Sequence, residues 1–270
     1  MVWMSWFDVV VLAIIQGLTE FLPVSSSGHL VLASEILRFD DPGVVFEILL
    51  HMGTLVAVLL FYRDDLWSLL SEGWSLLRGR RGPKQRQAGA MIAWLVIATI
   101  PAGVCGVLLG DQVEAAFEDP RVVCGALVFT GLLLLSTFLR APGRGSVSGW
   151  RALGVGLWQI IALFPGVSRS GSTIAGGMLL GLRPEDATRF SFLMSIPVIL
   201  GAGLLKAREL GSAMENGHAA QYLVGMLIAF VFGYLSIGAL LRLVRSRRFG
   251  FFGIYCLIVG IAGLIYFSLR

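Results

Sequence analysis

Residues 44–62, 88–109, 121–139, 187–205, 221–243 and 251–269 are six nearly uncharged apolar runs. Each is close to the ~20 residues that a helix needs to cross a bilayer. A surface helix of a soluble domain is apolar on one stripe only, whereas these runs are apolar all round. Outer-membrane strands are excluded, because such strands are about 10 residues long and alternate apolar with polar. Charged residues make up 14% of the chain and the mean hydropathy is +0.82, against roughly 25% charge in a soluble domain. The expected fold class is therefore an all-α polytopic membrane protein with six transmembrane helices.

Two further apolar stretches do not read as simple spans. Residues 2–22 carry Asp8, Gln16 and Glu20 and stop at Pro23, and residues 150–164 stop at Pro165-Gly166. Each is followed by a hydroxyl-rich turn and a short apolar helix, at about 28–38 and about 172–182. The two stretches match without a gap at an offset of 143 positions: Gln16 falls on Gln159, Phe21 on Phe164, Val24 on Val167, Ser25 on Ser168, Ser27 on Ser170 and Gly28 on Gly171. We read them as re-entrant helical hairpins, at approximately 5–38 and 150–182, within inverted-topology repeats of approximately 1–140 and 141–270. Broken backbone is tolerated at membrane depth only when it is buried in protein or lines a wet cavity. Inverted repeats with broken helices and a midplane site are an architecture of transporters.

Charge sets the expected orientation. With two hairpins and six spans, loops 78–86, 140–151 and 242–248 share one side and hold 12 of the 21 Lys and Arg residues. The opposite side receives Asp40, Asp41, Asp111, Glu114, Glu118, Asp119, Glu209 and Glu215. The positive-inside rule makes the first side cytoplasmic and both termini external; a parse with eight full spans fits the charges less well. The Trp67 and Trp74 stretch, 64–78, reads as an interfacial amphipathic helix. The N-terminus lacks the basic start and small-residue cleavage site of a signal peptide. Cys105, Cys124 and Cys256 lie in apolar runs without metal-ligand spacing and read as small buried hydrophobes. A net charge of +4 with basic residues in short loops is a membrane-orientation pattern, and no nucleic-acid partner is expected.

The chemistry lies in the two turns. Arg169 is an ionised side chain at an expected hairpin tip, which is costly and usually functional. Its planar fork of donors suits phosphate oxygens. Ser168, Ser170 and Thr173 flank it, and a helix starting near Ser172 aims its positive dipole end at the same place. A snorkelling arginine is the plainer alternative. The first turn supplies Ser25, Ser26 and Ser27 before Gly28 and His29. One serine, or His29, can serve as nucleophile, and His29 can also serve as acid or base; helix capping is the plainer role for the serines. Gln16 and Glu20 lie four apart, on one helix face. Glu20 can ligate a divalent cation that bridges phosphates, with Gln16 beside it, or can polarise His29 or a serine. Glu47 and His51, also four apart, are candidate partners of this set.

The two motifs also resemble a known family, the undecaprenyl-diphosphate phosphatases, or bacitracin-resistance proteins. The family signatures (E/Q)xxxE and PGxSRSxxT read here as residues 16–20 and 165–173, and the words Glu20 to His29 and Phe190-Ser191-Phe192-Leu193 resemble it as well. Length and motif spacing match, so the resemblance covers essentially the whole chain. It implies a hydrolase of the bacterial inner membrane that converts undecaprenyl diphosphate to undecaprenyl phosphate and inorganic phosphate. That reaction recycles the lipid carrier for peptidoglycan and related cell-wall polymers and underlies bacitracin resistance. By position it makes Glu20, Ser26, His29 and Arg169 the residues needed for activity, supported by Ser168 and Thr173. It also implies Mg2+ or Ca2+ as a cofactor and a site open to the periplasm. One departure stands out: many members carry Glu at the position of Gln16, so this chain has one carboxylate fewer.

Combined, these readings give a membrane phosphatase acting on a polyprenyl diphosphate lipid. Arg169 and its turn grip the phosphate, and Ser26 or His29 attacks. A lipid-phosphate transporter or flippase is the alternative that the inverted repeat suggests. Of the two candidate nucleophiles, Ser26 is slightly preferred to His29.

Overall fold

The computed structural model describes residues 5–37, 43–139, 141–205 and 218–269. Asp40, Asp41, Arg140, Glu209 and Glu215, which entered the charge argument, lie outside the described residues. Within them the chain is built from α-helices: α1 (Trp6–Phe21), α2 (Ser26–Leu37), α3 (Gly43–Phe61), α4 (Arg63–Leu77), α5 (Pro83–Leu108), α6 (Gly110–Phe117), α7 (Pro120–Ser136), α8 (Gly149–Ile161), α9 (Arg169–Leu179), α10 (Pro184–Leu205), α11 (Ala219–Arg245) and α12 (Phe252–Ser268). The only extended pairing among them is an isolated bridge between Gly145 and Leu182.

Five helices are long and apolar enough to cross a membrane: α5, α7, α10, α11 and α12. The sixth run differs in shape. The helix breaks at Tyr62, and α4 leaves α3 at 73°. On α4, Trp67 and Trp74 are exposed while Leu69 is buried, which suits a helix lying along an interface. Three boundaries shift from the sequence reading, each through local chemistry. Pro83 stands at the first position of α5, where its missing N–H is not needed, so Lys84 and Arg86 lie on the helix and not in a loop. Arg242 and Arg245 occupy the last turn of α11, where cations suit the helix dipole. The acidic connector is itself partly the short helix α6.

Helix α1 is tightly specified at its start. Ser5 caps it: Ser5 Oγ accepts from the Asp8 amide at 3.2 Å, and the Ser5 amide donates to Asp8 Oδ2 at 2.9 Å. This is a reciprocal capping box, so Asp8 is a helix-start signal and not a flaw in a span. The helix buries Val9, Leu12, Ala13, Gln16, Gly17, Glu20 and Phe21, spaced three and four apart as one face requires. That face packs along α11. At Gly17 the two helices approach so closely that an added Cβ would lie 2.7 Å from Phe232 Cβ and 2.8 Å from the Ala229 carbonyl oxygen. Ser236 Oγ also donates to the Gly17 carbonyl at 3.1 Å. Close contact through small residues and interhelical hydrogen bonds is what holds membrane helices together. Gly17→Leu is therefore expected to lower stability by about 1–3 kcal/mol through overpacking, read as a lower melting temperature in detergent; an unchanged melt would contradict this packing.

Candidate active site

Both broken helices end in turns that need special backbone. After α1 the chain runs extended at Leu22 and through Pro23, then turns at Ser25, a non-glycine residue with φ 68°. Ser25 Oγ accepts from the Gly28 amide at 3.3 Å and so starts α2. After α8 the chain passes Pro165 and Gly166, whose φ of 89° belongs to the region glycine tolerates. Ser168 caps α9, its Oγ accepting from the Gly171 amide at 3.0 Å. Helix α9 thus starts at Arg169 and not near Ser172, which places Arg169 in its first turn.

The two turns meet. A Cβ on Gly28 would lie 2.9 Å from Gly166 Cα, so this glycine is what lets the tips touch. Ser170 Oγ donates to the Leu22 carbonyl at 3.0 Å and ties one turn to the other. Residues outside the motifs hold them in place, and sequence reasoning missed these. Thr130 on α7 donates to the Gly166 carbonyl at 3.0 Å and accepts from the Ser168 amide at 3.1 Å. Cys256 Sγ on α12 lies 3.7 Å from the Pro23 carbonyl oxygen. The only advance signal for Thr130 was a polar residue in an otherwise apolar span, and such residues usually bond across helices.

Glu20 is the hub. Its side chain is 4% exposed. Oε1 accepts from Arg169 Nη2 at 2.8 Å, across 149 residues of sequence. Oε2 accepts from Ser26 Oγ at 2.7 Å and from Gln16 Nε2 at 2.9 Å. His51 Nε2 on α3 lies 3.6 Å from the same oxygen. Arg169 Nη1 is buried without a hydrogen-bond partner among the described residues. A cavity of about 430 Å3 adjoins this cluster; its wall includes Glu20, Ser25, Ser26, Ser27, Ser168 and Arg169, together with Glu47 and His51. Apolar wall is supplied by Phe117, Leu163, Val198 and Ile199, among others.

Four expected site residues lie off the cavity wall. Gln16 is fully buried and off the cavity wall. Ser170 is spent on Leu22, and Thr173 bonds the Arg169 carbonyl at 2.7 Å and Ser191 Oγ at 2.6 Å; both brace the turn from behind. His29 is also off the wall. Its Nδ1 lies 2.8 Å from the Ser25 carbonyl oxygen and its Nε2 lies 2.7 Å from Tyr255 Oη. A carbonyl only accepts, so Nδ1 carries the proton and Nε2 accepts from Tyr255. Nδ1 thus holds the strained Ser25 turn, and Nε2 ties it to α12 through Tyr255.

The pair Gln16 and Glu20 does not fit a divalent cation. Gln16 turns a donor towards Glu20, Oε2 already takes two hydrogen bonds, and the Arg169 guanidinium covers Oε1. No group of three His, Cys, Asp or Glu side chains placed to hold a metal occurs among the described residues.

Fold and site together define a class: a multi-pass helical membrane protein in which two broken-helix tips join a carboxylate, hydroxyls and a guanidinium beside one cavity. The family model described as bacitracin resistance protein BacA matches residues 9–262, and the chain belongs to that family. It is 42% identical to the undecaprenyl-diphosphatase of Corynebacterium striatum over 96% of this chain and 93% of that one. It is also 42% identical to the undecaprenyl-diphosphatase of Alcanivorax borkumensis, covering 98% of this chain and all of the relative. The undecaprenyl-diphosphatase of Salinibacter ruber is 40% identical over 97% and 99%.

Proposed function

We propose that this chain is a phosphatase that hydrolyses undecaprenyl diphosphate to undecaprenyl phosphate and inorganic phosphate, and so recycles the lipid carrier for cell-wall polymers. The observation that carries the mechanism is the chain of contacts Ser26–Glu20–Arg169. A serine hydroxyl on a buried carboxylate is an activated nucleophile, and an arginine from the opposite tip is placed to meet the charge of the phosphoryl group. Ser26 Oγ attacks the terminal phosphorus and its proton passes to Glu20 Oε2. The bond from that phosphorus to the bridging oxygen breaks, and undecaprenyl phosphate leaves. Water then cleaves the phosphoserine, and Glu20 returns its proton to Ser26.

Ser26 is chosen over His29 because His29 lies off the cavity wall, with Nδ1 on the Ser25 carbonyl and Nε2 on Tyr255. Ser25 and Ser27 line the wall with hydroxyls that can turn to phosphate oxygens, while Ser168 Oγ already donates to Ser170 Oγ. Phosphoryl transfer rests mainly on positioning and charge stabilisation, which this set supplies. The apolar part of the wall suits the first isoprene units of the tail. Mg2+ or Ca2+, which the Gln16 and Glu20 pair does not fit, enters no step above.

We further propose an inner-membrane location with loops 78–86, 140–151 and 242–248 cytoplasmic and both termini external, supported by the positive-inside rule. An inverted repeat has two supports. Shifting Trp6–Phe21 and Ser26–Leu37 by 143 residues lands on 149–164 and 169–180, close to the bounds of α8 and α9. Helix α1 packs along α11 of the other half, and α8 packs along α5, which is the exchange that a pseudo-two-fold axis produces. The transporter reading draws no support from the relatives, whose names are those of phosphatases.

The test is phosphate release by purified, detergent-solubilised protein from undecaprenyl diphosphate. Detergent removes sidedness, so a phosphatase releases inorganic phosphate catalytically, while a transporter releases none.

A further inference from the structure

We infer that His51 is the general base of the second half-reaction, taking the proton of the water that hydrolyses the phosphoserine. This rests on the assignment of Ser26 as nucleophile. The first step leaves the Ser26 proton on Glu20. Glu20 must give that proton back to Ser26 Oγ as the phosphorus–oxygen bond breaks, so it is not available to deprotonate water at the same moment. Gln16, four residues before Glu20 on α1, is no substitute for it. An amide at that position does not accept a proton, and Gln16 is off the cavity wall as well.

Besides Glu20 and Arg169, the described cavity wall holds two titratable side chains, Glu47 and His51. The geometry points to His51. Its Nδ1 lies 2.8 Å from the Glu47 carbonyl oxygen one turn back. That oxygen only accepts, so Nδ1 keeps its proton and Nε2 presents the lone pair. Nε2 lies 3.6 Å from Glu20 Oε2, beyond ordinary hydrogen-bond reach. It therefore sits beside Glu20 without a hydrogen bond to it, and pairs with the carboxylate once protonated. Ser26 Oγ sits 2.7 Å from that same Oε2, which puts the base within about one water of the phosphoserine. The side chain is 33% exposed, open to the cavity from which water would arrive.

The step balances. Water attacks phosphorus and gives one proton to His51 Nε2. The bond from phosphorus to Ser26 Oγ breaks, Oγ takes the proton held by Glu20, and inorganic phosphate leaves. The imidazolium then releases its proton to solvent, and both Glu20 and His51 return to their starting forms.

The experiment is rapid-quench kinetics on purified protein with substrate labelled in its terminal phosphate, comparing wild type, His51→Gln and His51→Ala. His51→Gln is expected to form the phosphoenzyme but to turn over at least about 100-fold more slowly, the usual size of a lost general base, so that label accumulates on Ser26. Imidazole added to His51→Ala is expected to restore turnover without changing the first step. Turnover of His51→Gln within a few-fold of wild type would overturn the assignment, and so would folded His51→Gln protein that neither labels nor turns over. Normal labelling and turnover in a parallel Ser26→Ala control would instead reject the nucleophile on which the inference rests.

Discussion

Ser26→Ala is expected to reduce phosphate release by about three orders of magnitude or more, the scale seen when a nucleophile is removed and binding is left intact. The fold should survive. Ser26 lies at the first position of α2, whose cap is the Ser25 hydroxyl, and its own Oγ bonds only to the Glu20 carboxylate among its described partners. The melting temperature in detergent should stay close to that of wild type. Its neighbours should separate cleanly. Ser27→Ala keeps the Ser26–Glu20 contact but removes a wall hydroxyl near the phosphate, and should lose far less activity than Ser26→Ala. Ser25→Ala loses the α2 cap, which costs about 1 kcal/mol, and also places an alanine at φ 68°, so it should show up first as lower stability. Phosphate release by folded Ser26→Ala at near wild-type rates would reject the mechanism.

Arg169→Ala is expected to have the second large effect, through two routes. The guanidinium is the only cationic side chain on the described cavity wall other than a protonated histidine. Losing an arginine that meets transition-state charge costs about 10^3–10^5 in turnover. Removing it also leaves Glu20 buried without its countercharge, and breaking one side of a buried pair costs about 3–5 kcal/mol. Arg169→Lys separates the two routes. It keeps the positive charge but has no planar fork with which to hold Glu20 and a phosphate together. It is expected to restore much of the stability while turnover stays down by about 100-fold, the size of one lost donor. The measurement is phosphate release beside a melting curve for both variants. Lysine restoring full turnover would mean that charge alone is used at this position.

Much of this organisation is legible in the sequence, for reasons particular residues make plain. Apolar length alone specifies the spans, since a bilayer admits few other answers. Pro23 and Pro165-Gly166 announce the broken helices because hydroxyl-rich turns follow them, whereas Pro101 and Pro197 sit inside the continuous helices α5 and α10. The pairing of Glu20 with Arg169 is anticipated only as a meeting of two stretches, because the ungapped match at an offset of 143 shows likeness and not contact. The roles within each stretch are less legible. Ser170 and Thr173 look like phosphate ligands in sequence, yet one turn of α9 rotates them to the rear. His29 looks like a nucleophile until Tyr255, 226 residues away, is seen to occupy it. His51 sits in a membrane span four residues from Glu47, and nothing in their spacing reveals which of the two approaches Glu20. Residues that act through distant partners, such as Thr130, Ser236 and Tyr255, leave little trace in a local pattern.

The central claim is that Ser26 forms a covalent bond to the terminal phosphate. It is tested most directly by quenching the wild-type reaction with labelled substrate and locating the label by peptide mapping. The account predicts an acid-stable phosphoserine at Ser26. An acid-labile phosphohistidine at His29 would contradict it.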